Sequence, residues 1–318
     1  MSEETRVKLG VSACLLGEKV RYDGQHKHDH YISDVLGQYV DWTPVCPEVE
    51  CGMSIPREAM HLAGKYDSPR LVTVKTGIDH TDKMKTWSKK RLDELENEDL
   101  CGFVFKSNSP SSGMIRVKVF NAKGIPAKTG VGIFAREFIE RFPLLPVEEE
   151  GRLHDSDIRD RFIDHLAAYS RWREYLKNDA SVKGFQDFHA RHKYMIMAHS
   201  SKDVALLGRL AADSNKNNIK ELQNKYINLL VSVLKLQTTI RKNTNVLQHI
   251  AGYFKKELES FEKIELQKSI EEYHQGNFPL LATLVLLQHF AKKYKKDYLL
   301  HQYYLSPEPI ELYLKYHV

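Results

Sequence analysis

The sequence predicts an α/β fold, a mostly parallel sheet sandwiched by helices, followed by an all-α helical bundle domain. Three observations carry this. Over residues 1–146, short apolar runs bounded by breakers alternate with helical patterns, the mark of parallel strands joined by crossover helices. From residue 157 onward, helical stretches follow one another with no convincing strand between them. Charge divides in the same region: residues 1–150 hold 21 Lys and Arg against 23 Asp and Glu, and residues 151–318 hold 26 against 19.

Each element has its own signal. Residues 7–14, VKLGVSAC, and residues 40–46, VDWTPVC, are apolar runs that end at a cysteine. Residues 101–106, CGFVFK, form a third strand and enter a loop of serine, asparagine, proline and glycine. Val117–Phe120 is a fourth, closed by Asn121 to Gly124. Between the second and third, Met84, Trp87, Leu92 and Leu95 recur at helical spacing over residues 80–98. Parallel sheets bind ligands beyond the carboxyl ends of their strands. Three strand ends here deliver Cys14, then Cys46 with Cys51, then residues 107–113 to one rim. Residues 142–152, FPLLPVEEEGR, with two prolines and an acidic run, read as a linker. The expected division is 1–146, a linker over 147–156, and 157–318. Helices are expected over 157–177, 182–200, 202–212, 216–242, 243–274, 279–296 and 308–316, with Gly276-Asn277 ending one of them before Pro279.

Composition narrows the class. A chain of 318 residues buries a proper core without needing a disulfide or a metal to fold. With 42% apolar residues and a mean hydropathy of −0.47, it is neither disordered nor an integral membrane protein. The longest apolar run, around residues 280–287, is far short of the roughly 20 residues a membrane span needs. The start, MSEETRVKLG, has no signal-peptide pattern, so a cytoplasmic location is expected. Thiols stay reduced there, which makes cysteines ligands or catalysts rather than bridges. All four, Cys14, Cys46, Cys51 and Cys101, lie in the first third.

Spacing alone leaves three readings of the cysteines open. Free cysteines are often buried core residues. A scattered three-cysteine set suits an iron–sulfur cluster with one open iron. It also suits zinc, although the paired short spacings of a zinc ribbon are missing. Residues 106–113, KSNSPSSG, offer hydroxyls and backbone N–H groups to a polar ligand, or form an ordinary surface turn. Arg21 to Gly24 and Arg57 place charges near the same rim, for a ligand or for structural ion pairs.

Taken together, SACLLGEKVRYDG (12–24), PVCPEVECGMSIPREAM (44–60) and KSNSPSSG (106–113) resemble the TudS-type thiouracil desulfidases. The two-module arrangement is similar to the RudS form of that family. The second half resembles the YbgA-like domain through FHARHKYMIMAHS (188–200), NVLQHIAGYFK (245–255) and HQYYLSPEP (301–309). The resemblance implies a non-redox enzyme with a 4Fe–4S cluster held by three cysteines and one open iron. Its expected substrate is thiolated uracil, as 2- or 4-thiouracil or as thiouridine nucleotides, hydrolysed to uracil and sulfide. Carried over by motif, Cys14 and Cys46 are cluster ligands, Glu48 is the acid/base carboxylate, and Ser109 is the assisting serine. Arg21, Tyr22, Asp23, Lys106, Ser107, Ser111, Ser112 and Gly113 are the substrate-binding set. Single-domain relatives read SPSCG and use that cysteine as a ligand, whereas this chain has Ser112 there. Cys101 begins its strand, at the wrong end of the sheet, so Cys51 is expected to complete the ligand set with Cys14 and Cys46.

In the basic second module, His192 and His199 are spaced to share a helix face, as metal ligands or as hydrogen-bonded core histidines. Residues 292–296, KKYKK, read as a phosphate-binding patch or as a solvated helix face. A tRNA or tRNA fragment is therefore an expected partner beside the thiolated base or nucleotide, with no membrane. The competing class is a nucleic-acid-binding or sensor protein that uses the cysteine site for a structural metal or cluster.

Overall fold

The computed structural model describes residues 6–316. They form two compact units, 6–162 with 314–316, and 163–313.

The first unit holds two four-stranded sheets. One contains β1 (Val7–Ser12) and β2 (Val40–Val45). The second sheet takes β3 (Met60–Gly64) and β4 (Pro69–Thr73). Next come β5 (Phe103–Phe105) in the first sheet and β6 (Val117–Phe120) with β7 (Pro126–Gly130) in the second. Last, β8 (Val147–Glu149) closes the first sheet. The first sheet runs β2-β1-β5-β8 with every pairing parallel. The chain leaves β1 toward β2 on one side and toward β5 on the other, so the order reverses at β1. Such a reversal opens a crevice at the carboxyl end of the sheet. The second sheet runs β4-β3-β6-β7, with β3 and β6 parallel and the outer pairs antiparallel.

Three helices accompany these strands: α1 (Pro47–Glu50), α2 (Thr81–Glu96) and α3 (Ile133–Arg141). The Phe134 and Phe138 rings of α3 pack edge-on against Phe103, which stacks on Phe105 with ring centroids 4.3 Å apart. Room for Phe103 comes from the neighbouring strand. A methyl group on Gly10 would lie 2.1 Å from the Phe103 ring, which is 1% exposed. Gly10→Ala is therefore expected to destabilise the first unit by about 1–3 kcal/mol, the usual cost of overpacking. Denaturant unfolding followed by near-ultraviolet circular dichroism reads this directly.

The second unit is helical throughout. The unit boundary falls within α4 (Ser156–Asn178), which is followed by α5 (Val182–His199), α6 (Ser201–Ala212), α7 (Ile219–Leu234) and α8 (Ile240–Ala251). Then come α9 (Ser260–His274), α10 (Leu280–Lys293), α11 (Asp297–Leu300) and α12 (Pro309–Tyr316). Side-chain caps start several of these: Ser181 accepts from Gly184 N, Ser200 from Asp203 N, and Thr239 from Lys242 N. Val246, Leu247, Ile250, Leu287 and Phe290 form one core, and Trp172, Phe185, Phe188 and Tyr226 bring their rings together in another.

The expected fold class holds, with four differences of detail. The second sheet was not foreseen. Residues 147–156, expected as a linker, begin with β8, a parallel partner of β5. The single helix expected over 243–274 is two, because Phe254 and Leu258 turn inward and pin the connection. The helix expected over 216–242 ends at Leu234. His192 Nδ1 bonds Phe188 O at 2.7 Å, and His199 Nδ1 bonds Leu236 O at 2.8 Å, so both are hydrogen-bonded core side chains. Burial pushes His192 well below the ordinary imidazole range. In the KKYKK run, Lys293 pairs with Glu262 and Lys296 with Glu257. Among the described residues, no helix is long and apolar enough to cross a membrane.

Candidate active site

The carboxyl ends of β1, β2 and β5 open into one cavity of about 340 Å³. Each strand contributes through the segment that follows it. After β1, a tight turn over Ala13–Leu16 carries Cys14 and closes at Gly17, whose φ of +91° is the left-handed cap that glycine accepts without strain. After β2, Cys46 caps the single turn of α1, with Pro47 at the first helical position, where its missing N–H costs nothing. Glu50 Oε1 reaches back to Cys46 N at 2.7 Å and fixes that turn. After β5 comes the hydroxyl-rich loop. Its entry is set by Lys106 N donating to Ser12 Oγ at 2.9 Å.

Cys14, Arg21, Tyr22, Cys46, Glu48, Lys106, Ser107, Ser109 and Ser112 all line this cavity. Burial pushes the Cys14 thiol up to about 12 and the Cys46 thiol up to about 11. A buried and a half-buried thiol facing one cavity resist ionisation unless a cation shares their charge, as a metal centre does. The remaining residues of the expected set lie outside the wall. Asp23 holds Arg21 in a two-bond ion pair at 3.2 and 3.1 Å. Gly113 packs where a methyl group would meet Val117 and the Ser109 carbonyl. Cys101 lies before β5 and does not reach the cavity.

Cys51 is not brought there either. The turn of α1 sends it back into an apolar cluster with Leu62, Leu71, Met84 and Val117. Its Sγ donates to Glu48 O at 3.3 Å, on the protein side of the helix. Ser112, 4% exposed, stands on the cavity wall instead.

Glu48 is held at both oxygens. Oε2 accepts from Arg57, whose side chain is 5% exposed, and Oε1 accepts from Ser111 Oγ at 2.6 Å. Ser111 Oγ in turn stands 3.0 Å from Ser109 Oγ. Because the Ser111 hydroxyl donates to Glu48, its oxygen is left to accept from Ser109. Ser109 Oγ also accepts from Ser111 N and Ser112 N at 3.3 and 3.1 Å. The result is a directed chain of hydroxyls from the cavity wall to the carboxylate. Arg57 also donates to Val20 O at 3.0 Å and so ties the cavity's 20–22 segment to the same carboxylate.

Two carboxylates that the sequence reading missed hold the serine loop at both ends. Glu150 accepts from Lys106 Nζ at 2.6 Å, Ser107 N at 2.7 Å and Ser107 Oγ at 2.8 Å. Glu149 Oε1 accepts from Met114 N at 2.7 Å and Ile115 N at 3.2 Å. Both are buried, at 6% and 5% exposed. Burial pushes Glu149 above the ordinary carboxylate range. The only signal for this was three consecutive glutamates directly after an apolar stretch. The start of α3 completes the frame, with Ile133 N and Ala135 N donating to the carbonyls of Pro110 and Ser111.

Comparisons with known proteins match two separate parts of the chain. Residues 9–150 match the family described as 2-thiouracil desulfurase. Residues 193–309 match one described as a protein of unknown function, DUF1722. The uncharacterized protein YbgA of Escherichia coli (strain K12) is 33% identical over 136 residues, which is 42% of this chain and 80% of that protein. A solved structure of the [4Fe-4S]-dependent thiouracil desulfidase TudS is 29% identical, covering 47% of this chain and 95% of its own, with a TM-score of 0.39.

Proposed function

We propose, for a chain that belongs to the thiouracil desulfidases in their two-domain form with a YbgA-like helical domain, that the cavity hydrolyses thiolated uracil to uracil and sulfide without net electron transfer. The observation that carries this is the convergence of Cys14, Cys46, Glu48 and Ser109 on one cavity wall. The donor set suits a 4Fe–4S cluster: Cys14 and Cys46 supply thiolates, and Ser112 stands where relatives are expected to carry a third cysteine. Cys51 is left out of this set, because its sulfur faces the apolar cluster behind α1.

Held by Cys14 and Cys46, such a cluster would supply Lewis-acid polarisation suited to a soft thiocarbonyl sulfur. The protein's own residues do the rest. Glu48 accepts a proton from the attacking water, and its ion pair with Arg57 keeps the carboxylate aimed while it waits. Ser109 stands on the cavity wall beside the base and, through Ser111, holds the Glu48 carboxylate in the orientation that receives this proton. The C=S bond becomes C=O: of the water's two protons, one returns from Glu48 to the sulfur, which departs as hydrosulfide, and the other is released to solvent as the carbonyl forms. Arg21 and Lys106, each oriented by its own carboxylate partner, bring N–H donors to the wall of a cavity that must hold developing negative charge. A cytoplasmic location, where sulfide and reduced thiols persist, belongs to the same reading.

Anaerobic reconstitution of the full chain with iron and sulfide provides the test. Sulfide is expected in amounts equal to the desulfurated product from one or more of these: uracil from 2- or 4-thiouracil, uridine monophosphate from thiouridine monophosphate, and uridine-containing tRNA from thiolated tRNA. A protein that holds the cluster but releases no sulfide from any of them would be the sensor and not the enzyme.

A further inference from the structure

The loop beyond the Arg21 turn carries alternating histidines, His26, His28 and His30, and none of them has a part in the cavity chemistry. His30 precedes a short turn, Tyr31–Val35, that brings Asp34 one turn further on. His30 Nδ1 stands 2.7 Å from Asp34 Oδ2. His28 Nε2 is 2.7 Å from Ser33 Oγ, which is itself 2.6 Å from Asp34 Oδ1. One donor atom from each of His28, His30 and Asp34 lies within 4.8 Å of the other two. The His28 and His30 rings meet edge to face, 4.7 Å between centroids.

We propose that His28, His30 and Asp34 form a binding site for a divalent transition-metal ion of the zinc class, separate from the thiol cavity. The donor set is two imidazoles and one carboxylate, with His30 and Asp34 at the i, i+4 spacing that places two ligands on one helical face. Three protein ligands leave the remaining coordination to water. His26 stays outside the set, because its Nδ1 accepts from His28 N at 3.2 Å. The backbone beneath is already fixed. Lys27 N donates to Cys14 O at 2.9 Å, and Asp29 N donates to Leu15 O at 3.0 Å. Asp29 in turn accepts from Ile32 N at 3.1 Å and pairs with His154 at 2.9 Å. A cation entering here replaces the His30–Asp34 and His28–Ser33 contacts and leaves this frame in place. Lys27, between the histidines, lines the cavity, so an ion on the outer face stiffens one of its walls.

Cobalt(II) titration of the full chain reads the site without reference to turnover. Besides any cobalt held at the cavity thiols, which shows thiolate-to-metal charge transfer, one equivalent is expected with weak visible bands and no such charge transfer, and zinc should displace it. His30→Ala and Asp34→Asn each weaken that equivalent at least about tenfold, on the scale of disturbing a metal site's ligation. Cys14→Ser with Cys46→Ser leaves it unchanged. Both His30 and Asp34 are exposed, and circular dichroism of the two variants confirms an intact fold. Absence of a nitrogen- and oxygen-bound equivalent, or one indifferent to His30→Ala and Asp34→Asn, overturns the site.

Discussion

Glu48→Gln slows sulfide release by about two to four orders of magnitude, the range that general acid–base catalysis contributes. Glutamine keeps the shape of the side chain but can neither accept nor return a proton. It also strips Arg57 of its ion-pair partner in a setting where that guanidinium is 5% exposed at the side chain. Breaking a buried pair by removing one partner costs about 3–5 kcal/mol, so some loss of stability accompanies the loss of rate. Glu48→Asp separates the two effects. It keeps the charge for Arg57 but withdraws the carboxylate by one carbon from Ser111, so stability recovers more than rate does. Iron content and melting temperature are measured on the same samples. A Glu48→Gln protein that folds, holds iron and turns over within about threefold of the original would take Glu48 out of the proton path.

Cys14→Ser and Cys46→Ser each lower bound iron by about an order of magnitude or more and remove its brown absorbance, whereas Cys51→Ser and Cys101→Ser retain both. The division follows position. Cys14 and Cys46 face the cavity, while Cys51 is packed among Leu62, Leu71 and Met84 and its sulfur donates to a backbone carbonyl. Ser112→Cys adds a third thiol on the cavity wall and holds iron at least as well as the original chain. Iron and acid-labile sulfide are quantified anaerobically for all five. Loss of iron in a folded Cys51→Ser protein would restore Cys51 to the ligand set and displace Ser112.

The strands that the sequence revealed are those whose apolar runs stop at a breaker: β1, β2, β5 and β6. Two of the other strands, β7 and β8, hide for physical reasons. β7 is exposed at four of its five positions, as an edge strand can be, and so has no apolar alternation to read. β8 reads as an acidic linker because consecutive glutamates normally face water. Here each of the three finds hydrogen-bond donors instead, with Glu148 held by Arg152 and the other two by the serine loop. The cavity wall was legible through strand ends and the three motifs. Cys51 lies in the apolar cluster and not on the cavity wall, because counting residues from a strand end ignores the direction a single helical turn imposes. The link from Ser109 through Ser111 to Glu48 depends on loop geometry that no spacing rule contains.

The two glutamates that clasp the serine loop also say where this protein tolerates being shortened. Residue 150 looks like the natural place to cut, since the desulfurase match ends there. Severed at that point, Glu150 would become a chain end, free to fray, and would bring a second carboxylate beside the one Lys106 and Ser107 grip. Leu153, fully buried, donates its N–H to the Glu149 and Glu150 carbonyls and acts as the latch behind them. A cut after the desulfurase match should therefore fall no earlier than Phe162, with the beginning of α4 retained as ballast for a loop some fifty positions upstream, and residues 314–316, which cluster with this unit, are lost by any such cut.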